Sequence, residues 1–324
     1  FQGLLRNRKT KYDYRFVIDD GKCGLGGSAT TISQKFINVD HVKFIVTGCS
    51  GETIQAGLIA EKAQVLTVGV LASDPAVRNL GDYVFRTYPD LERGIKEISR
   101  NMTAAGHQRI AVLTEDLPFT LSIEKMLHEN LGQLVVFREQ YATETNDFLA
   151  LLTKLRALKP SALYFNCASA QTLANLVNQS RALGLNQPVF SYFVAGERQF
   201  LDAAGANSEE LIFVDAPQIE NASPEYAEFL ARYRAEYPDG PAIEFLTRTT
   251  HDALQALTTA IEAVGPDAAA AKNYFYKIQF SGALGDVAFD AKGDVLGLDF
   301  VLKQIKNGKP SSLNSAGLLG QASE

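Results

Sequence analysis

The stretch Val39–Pro75, VDHVKFIVTGCSGETIQAGLIAEKAQVLTVGVLASDP, decides the fold of this chain. Its first apolar run, residues 43–47, is short and rich in β-branched side chains, and residues 52–62 after it have helical spacing. A second apolar run, residues 65–69, leads into a loop with small hydroxyl and acidic residues. This order predicts a parallel βαβ unit. Because ligands of such sheets bind beyond the carboxyl ends of the strands, the two strand ends predict a ligand-binding edge.

Short apolar runs alternate with amphipathic stretches from Lys11 onward, which predicts parallel sheets with helices between the strands. The predicted strands are residues 14–18, 44–47, 65–68, 83–86, 110–114, 135–140, 162–166, 189–192 and 211–214. The clearest predicted helices are residues 147–158, 169–183, 224–237 and 244–264. A chain of 324 residues is long for one hydrophobic core, so two lobes are expected.

The composition of the chain restricts its partners. The net charge is −6 and the pI is near 5.4, and no Lys/Arg cluster with interleaved aromatic residues occurs. A nucleic acid is therefore not expected as a partner. No apolar run approaches the ~18 residues that a bilayer-spanning helix requires. The expected partner is a small molecule.

The motifs of enzymes and metal sites are incomplete in this sequence. Gly24–Gly27 lacks the spacing of a phosphate-binding loop and is interpreted as an ordinary loop. The four histidines have no Cys, His or acidic neighbour at metal-ligand spacing on a common helix face. No nucleophile elbow or Cys/His signature occurs. We expect no catalytic residue, no cofactor and no metal site, and a hydrolase or dehydrogenase is the less favoured alternative.

A series of short motifs runs through the chain in a fixed order: VIDD at 17–20 with Cys23, GCS at 48–50, IAEKAQV at 59–65, GDYVFRTY at 81–88, RIAV at 109–112, DF at 147–148, ALG at 182–184, AG at 204–205, FDAKGD at 289–294 and KNG at 306–308. Each motif alone is common, whereas their order and spacing are specific. Together they resemble the type I periplasmic solute-binding proteins of branched-chain amino acid transport, over nearly the whole chain.

The resemblance implies an α/β fold of two doubly wound parallel-sheet lobes, joined by three hinge crossovers, that close on a ligand. The N-terminal lobe would contain residues 1–116 and 243–284, and the C-terminal lobe residues 117–242 and 285–324. The implied protein is a periplasmic, monomeric solute-binding protein that passes a small carboxylate ligand to the membrane permease of an ABC transporter. A ligand-sensing receptor or regulatory domain of the same fold is the alternative.

Family members begin with a strand and a long helix that precede the part matching residues 14–20. The present sequence begins near the end of that helix. Because a strand missing from inside a sheet leaves the backbone groups of both neighbours unpaired, we expect roughly 30 further residues upstream. A gap filled by another segment is the alternative.

The resemblance also assigns ligand contacts in the first lobe. Ser50 matches the serine that receives the ligand carboxylate in the family, and Gly51 follows it at the start of a helix, where backbone N–H groups attract anions. Leu71, Ala72 and Ser73 match the second strand end, where the family uses a backbone carbonyl and a hydroxyl. Both serines can also be ordinary helix caps, and capping does not exclude binding.

In the second lobe the match is less complete. Phe119 stands where the family places an aromatic residue over the ligand, with inward packing at a helix start as the alternative. Ala168 replaces a frequent aromatic residue, and Val194 replaces the acid that faces the ligand ammonium group. Because a buried ammonium without a counter-charge costs on the order of several kcal/mol, we expect a carboxylate with an apolar body that does not depend on an α-ammonium group, unless Glu52 or Glu197 compensates.

A disulfide between Cys23 and Cys49 is the last expectation. The family often has a bridge at this place, and the two cysteines follow adjacent predicted strands. Closing a loop of about 25 residues would stabilise the fold by about 3 kcal/mol. Such a bridge implies an oxidising compartment. Cys167 is expected to be a free, buried thiol at a strand end.

Overall fold

The computed structural model of this chain describes residues 10–216, 224–238 and 244–313. Along the chain the strands are β1 (Phe44–Cys49), β2 (Leu66–Leu71), β3 (Val84–Arg86), β4 (Ile110–Glu115), β5 (Val135–Tyr141), β6 (Ala162–Asn166), β7 (Val189–Tyr192), β8 (Ile212–Asp215), β9 (Phe280–Ser281), β10 (Asp286–Val287), β11 (Val301–Lys306) and β12 (Lys309–Ser312). The helices are α1 (Ser28–Asn38), α2 (Ser50–Ala63), α3 (Leu91–Ala104), α4 (Pro118–Leu131), α5 (Leu149–Ala157), α6 (Ala170–Ala182), α7 (Arg198–Ala204), α8 (Pro224–Glu236), α9 (Glu244–Val264) and α10 (Ala268–Phe275).

The chain divides into two units. Unit 1 contains Phe1–Leu91 and Pro217–Asp299, and unit 2 contains Glu92–Ala216 and Phe300–Glu324. None of the helices in the described ranges combines the length and the apolar character needed to cross a bilayer.

Unit 1 is built on a parallel sheet of strand order β1-β2-β3. Strand β2 is buried along almost its whole length, which explains why its sequence reads as one apolar run. Its side chains pack with those of β3, α9 and α10, where the rings of Phe85 and Phe275 lie 4.9 Å apart. In the register of β1 and β2, Cys49 lies opposite Leu71. The two strands therefore end at the same edge of the sheet.

Unit 2 is built on a seven-stranded sheet of order β12-β11-β8-β7-β6-β4-β5. Strands β4 to β8 are parallel, and β11 runs antiparallel to β8 and to β12. Glu115 at the end of β4 lies opposite Tyr141 of β5, and Thr114 lies opposite Asn166 of β6. The carboxyl ends of these three strands therefore meet at one edge.

The predicted α/β fold with parallel-sheet lobes is confirmed, and the predicted strands from residue 44 to residue 214 are present within about three residues at each end. The predicted strand at residues 14–18 is wrong. No described strand pairs with this segment, and Ile18 is 86% exposed, so its apolar residues do not face a sheet core. Instead, the Tyr14 hydroxyl donates a hydrogen bond to Glu262, at 2.8 Å.

The structure places the unit boundaries differently from residues 116, 242 and 284. Strand β4 lies between β6 and β5 in the sheet of unit 2, so unit 2 begins before it, at Glu92. Helix α8 belongs to unit 1, where the ring of Tyr226 packs on His251 of α9 at 5.3 Å. Strand β10 pairs with β9 in unit 1, so the last boundary follows Asp299.

Candidate functional site

The ends of β1 and β2 bring Ser50 and Ser73 to one edge of unit 1, as the sequence predicts. We call Ser50–Gly51 and Leu71–Asp74 the serine edge. Ser50 is the first residue of α2, and its hydroxyl oxygen accepts a hydrogen bond from the Asp74 N–H group at 3.2 Å. Ser50 is 6% exposed and Ser73 4%, and Ala72 is fully buried. A group that reached these hydroxyls would therefore be largely desolvated.

The serine edge leaves no space for a larger residue at Gly51. A Cβ atom there would collide with the carbonyl oxygen of Cys23. Glycine thus lets the loop that carries Cys23 approach the first turn of α2, whose backbone N–H groups have no partner within the helix. That Ser50, Gly51, Leu71, Ala72 and Ser73 contact a ligand remains a prediction.

The predicted Cys23–Cys49 disulfide is confirmed, with 5.3 Å between the two Cα atoms. The Glu52 carboxylate lies beside it and accepts hydrogen bonds from the Cys23 N–H group at 3.0 Å and the Gly48 N–H group at 2.8 Å. Glu52 therefore fixes the backbone of this loop, and both of its oxygens are engaged there rather than held for a ligand cation. Cys167 is free and buried as predicted, and burial raises the pKa of its thiol.

A buried arginine behind the serine edge was not identified from the sequence. The Arg86 guanidinium donates hydrogen bonds to the carbonyl oxygens of Ala72 and Asp74, both at 2.9 Å. It also pairs with Asp90 at 2.8 Å and with Asp294 at 2.6 Å. We call these two acids, Arg86 and Arg78 the arginine cluster, since Arg78 binds the second oxygen of Asp294. The signal in the sequence was a single cation at the end of an apolar strand.

The arginine cluster keeps Asp294 ionised. Burial by itself favours the neutral carboxylic acid, but the hydrogen bonds and charges of Arg86 and Arg78 outweigh it, so the pKa of Asp294 is lower than usual. The charge of Arg86 is thus balanced within unit 1 by acids that are themselves buried.

The predicted residues of unit 2 lie at or after the ends of its parallel strands. We call Phe119, Ala168 and the ring pair Tyr192–Phe193 the aromatic edge. The Phe119 ring lies 5.5 Å from the Tyr192 ring, which is perpendicular to Phe193 at 4.7 Å. Ala168 is exposed, whereas Val194 is only 1% exposed and contributes to the packed interior. Whether Phe119, Ala168 and Val194 contact a ligand remains a prediction.

Glu115 is the acidic residue of this edge that was not identified from the sequence. It ends β4, is 3% exposed, and accepts a hydrogen bond from the Ala168 N–H group at 2.8 Å. Within the described ranges no cation forms an ion pair with it. A buried carboxylate without a counter-charge is costly, so Glu115 is a candidate partner for a ligand ammonium group. Glu197, the other acid considered, precedes α7, and desolvation raises the pKa of its carboxyl group.

Comparison with known proteins gives one consistent result. The sequence profile of the family described as "Periplasmic binding protein" matches residues 18–310. A Leu/Ile/Val-binding protein of Citrobacter freundii is 24% identical over 278 residues, which cover 84% of this chain and 74% of that protein.

Solved structures share the fold. A leucine binding protein from Thermotoga maritima has a TM-score of 0.80 and 21% identity, covering 97% of this chain and 92% of its own. A solute binding protein of an ABC transporter from R. palustris, in complex with benzoate, has a TM-score of 0.79 and 20% identity, covering 97% and 89%. At these identities the likeness establishes the architecture.

Proposed function

Since the chain belongs to the periplasmic binding protein family, we propose that it captures a small carboxylate-bearing solute outside the cytoplasm and delivers it to the permease of an ABC transporter. The observation that carries the proposal is the serine edge. There the Ser50 hydroxyl, the buried Ser73 and the N-terminal turn of α2 lie together on unit 1. Hydroxyls and helix N–H groups are suitable donors for an anion, and desolvation strengthens their bonds to a carboxylate.

The aromatic edge supports an apolar character of the proposed ligand. The rings of Phe119, Tyr192 and Phe193 form one contact group on unit 2. Relatives named for leucine, isoleucine and valine, and a structural neighbour holding benzoate, support a ligand that ranges from an amino acid to an aromatic acid. Because Val194 occupies the position expected for an acid, we propose that the ligand does not require an α-ammonium group.

The disulfide supports the proposed cellular setting. The Cys23–Cys49 bridge supports an oxidising compartment, as does the family's periplasmic location. We propose that the protein is exported, acts as a monomer and performs no covalent chemistry on its ligand. A binding protein must also release its solute, which favours an affinity around micromolar, or about −8 kcal/mol.

A calorimetric panel tests the ligand class. Leucine, its 2-oxo acid 4-methyl-2-oxopentanoate and benzoate would each be titrated into ligand-stripped protein. We expect at least one acid without an ammonium group to bind near micromolar affinity. Tight leucine binding with no response to the other two would overturn the ammonium proposal and redirect attention to Glu115. Binding of none would overturn the carboxylate class for these probes, and thermal stabilisation by NAD would favour an enzyme.

A further inference from the structure

We propose that Arg86 is a positioning residue for the ligand: its guanidinium holds the end of β2 in the conformation that presents Ser73 at the serine edge. This inference rests on the proposed function and goes further, since it assigns a role to a residue that contacts the strand end rather than the ligand. The carbonyl groups of three consecutive residues are fixed at this strand end.

All three carbonyl groups of residues 72–74 accept hydrogen bonds. Arg86 donates from one nitrogen, Nη1, to the oxygens of Ala72 and Asp74 at 2.9 Å each. The Leu91 N–H group donates to the oxygen of Ser73 between them, also at 2.9 Å. Rotation of any of these peptides would break a hydrogen bond, buried at Ala72 and partly buried at Asp74, so the backbone that carries Ser73 is restrained from both sides.

The same restraint reaches Ser50. The peptide between Ser73 and Asp74 is held at its carbonyl by Leu91 and at its N–H group by the Ser50 hydroxyl. The Arg86 guanidinium donates hydrogen bonds to the two flanking peptides, at the carbonyl oxygens of Ala72 and Asp74. The guanidinium therefore sets the relative placement of the two serines, although it bonds to neither side chain in these contacts.

The shape of the guanidinium explains why an arginine is required here. Its remaining nitrogens bind Asp90 and Asp294, so one planar group serves four acceptors from separate parts of the chain. A lysine ammonium has three donors and no fork, so it cannot reproduce this pattern. Because Asp90 and Asp294 already balance its charge, Arg86 acts by geometry rather than as the counter-ion of the ligand carboxylate.

A turn far along the chain, residues 290–294, also supports Arg86. The backbone N–H group of Arg86 donates a hydrogen bond to the Gly293 carbonyl oxygen at 2.9 Å. The φ of Gly293 is +78°, and a Cβ atom at this position would collide with the Val84 carbonyl oxygen. Glycine thus lets the turn lie against β3. The Asp290 carboxylate accepts a hydrogen bond from the Asp294 N–H group at 3.0 Å, which fixes the acid that faces Arg86.

The test compares Arg86→Lys with the matched control Arg78→Ala. Arg78 pairs with Asp294 and Asp90 as well, so its removal takes one cation from the cluster while the bonds of Arg86 to Ala72 and Asp74 stay in place. The probe is the tightest binder among leucine, 4-methyl-2-oxopentanoate and benzoate. We expect Arg86→Lys to weaken its binding by about tenfold or more, and Arg78→Ala by less than about threefold.

Amide hydrogen exchange of Leu91 in the ligand-free protein supplies a second readout, with the Val112 amide in β4 as reference. We expect Arg86→Lys to accelerate exchange at Leu91 and not at Val112. Equal losses of affinity in the two variants, or wild-type affinity in Arg86→Lys, would overturn the proposal.

Two further outcomes are distinguishable. If Arg86→Lys does not fold, exchange in the wild-type protein decides: binding of the probe should slow the Leu91 amide more than Val112, and an unchanged Leu91 rate would overturn the proposal. If wild-type protein binds no probe, the proposed function fails, while Leu91 exchange in Arg86→Lys still shows whether Arg86 restrains the strand end.

Discussion

The serine edge and the aromatic edge are both carboxyl ends of parallel strands, yet they are built in opposite ways. The serine edge has hydroxyl and N–H donors, a disulfide next to Ser50, and a buried cation behind it whose charge is balanced. The aromatic edge has three rings in contact and one buried acid, Glu115, with no cation paired to it in the described ranges. The contrast supports the proposal that an anion binds on unit 1.

The largest expected effect concerns the arginine cluster behind the serine edge. Asp294→Asn should lower the free energy of unfolding by about 3 kcal/mol at neutral pH, because it leaves Arg86 buried with one acid fewer. Since the pKa of Asp294 is lowered in the folded state, its stabilisation is present above the unfolded value of about 3.9 and is lost as the pH falls through the folded pKa. Urea unfolding at several pH values should show the wild type and the variant converging below about pH 4. A constant difference down to pH 3 would contradict the ionised pair.

The disulfide tests the other support of the serine edge. Reduction of the wild-type protein should lower its free energy of unfolding by about 3 kcal/mol, because the bridge closes a loop with a sequence separation of 26 residues. The double variant Cys23→Ser/Cys49→Ser should be as unstable without reductant as the reduced wild type, and insensitive to reductant. Equal unfolding curves for oxidised and reduced wild type would show that the bridge contributes nothing.

Ser50→Ala separates anion binding from a purely structural role of the bond between the Ser50 hydroxyl and the Asp74 N–H group. Loss of a hydrogen bond to a charged group should weaken binding of the panel's best acid by about 1.5–3 kcal/mol. Ser33→Ala is the matched control, since Ser33 is a buried serine of the same unit inside α1. Calorimetry would measure both. If the two variants bind alike, the Ser50 hydroxyl serves only its bond to the Asp74 N–H group and the assignment of the serine edge fails.

Glu115→Gln sharpens the comparison from the side of unit 2. Glutamine keeps an oxygen for the Ala168 N–H group but removes the negative charge. Since the ammonium group is proposed not to be required, the effect should be small: we expect the affinity for leucine relative to 4-methyl-2-oxopentanoate to fall by only about 1 kcal/mol, because only the amino acid carries a cation. Isothermal titration of both ligands into both proteins measures this ratio. An unchanged ratio would mean that Glu115 supports the Ala168 backbone and does not face a ligand.

The serine edge was readable from the sequence because its parts come from consecutive strands. Strands β1 and β2 are neighbours in the chain and in the sheet, so Ser50 and Ser73 could be placed together, whereas the Cys23–Cys49 pairing was implied by the resemblance to the family. Glu115 could not be placed in this way, because β4 lies between β5 and β6 and the partner Ala168 follows the second of them. Arg86 likewise depends on Asp294, 208 positions later. The strand predicted at residues 14–18 is wrong for a related reason. The apolar pattern of a segment does not show whether another strand lies beside it to pair with.

The most direct test of the central claim is a crystal structure with the best-binding acid of the panel. We predict a carboxylate oxygen about 2.5–3.0 Å from the Ser50 hydroxyl oxygen, with backbone N–H groups of the first turn of α2 donating to the same carboxylate. A ligand whose carboxylate lies away from the serine edge, with Ser50 bonded only to the Asp74 N–H group, would contradict the account.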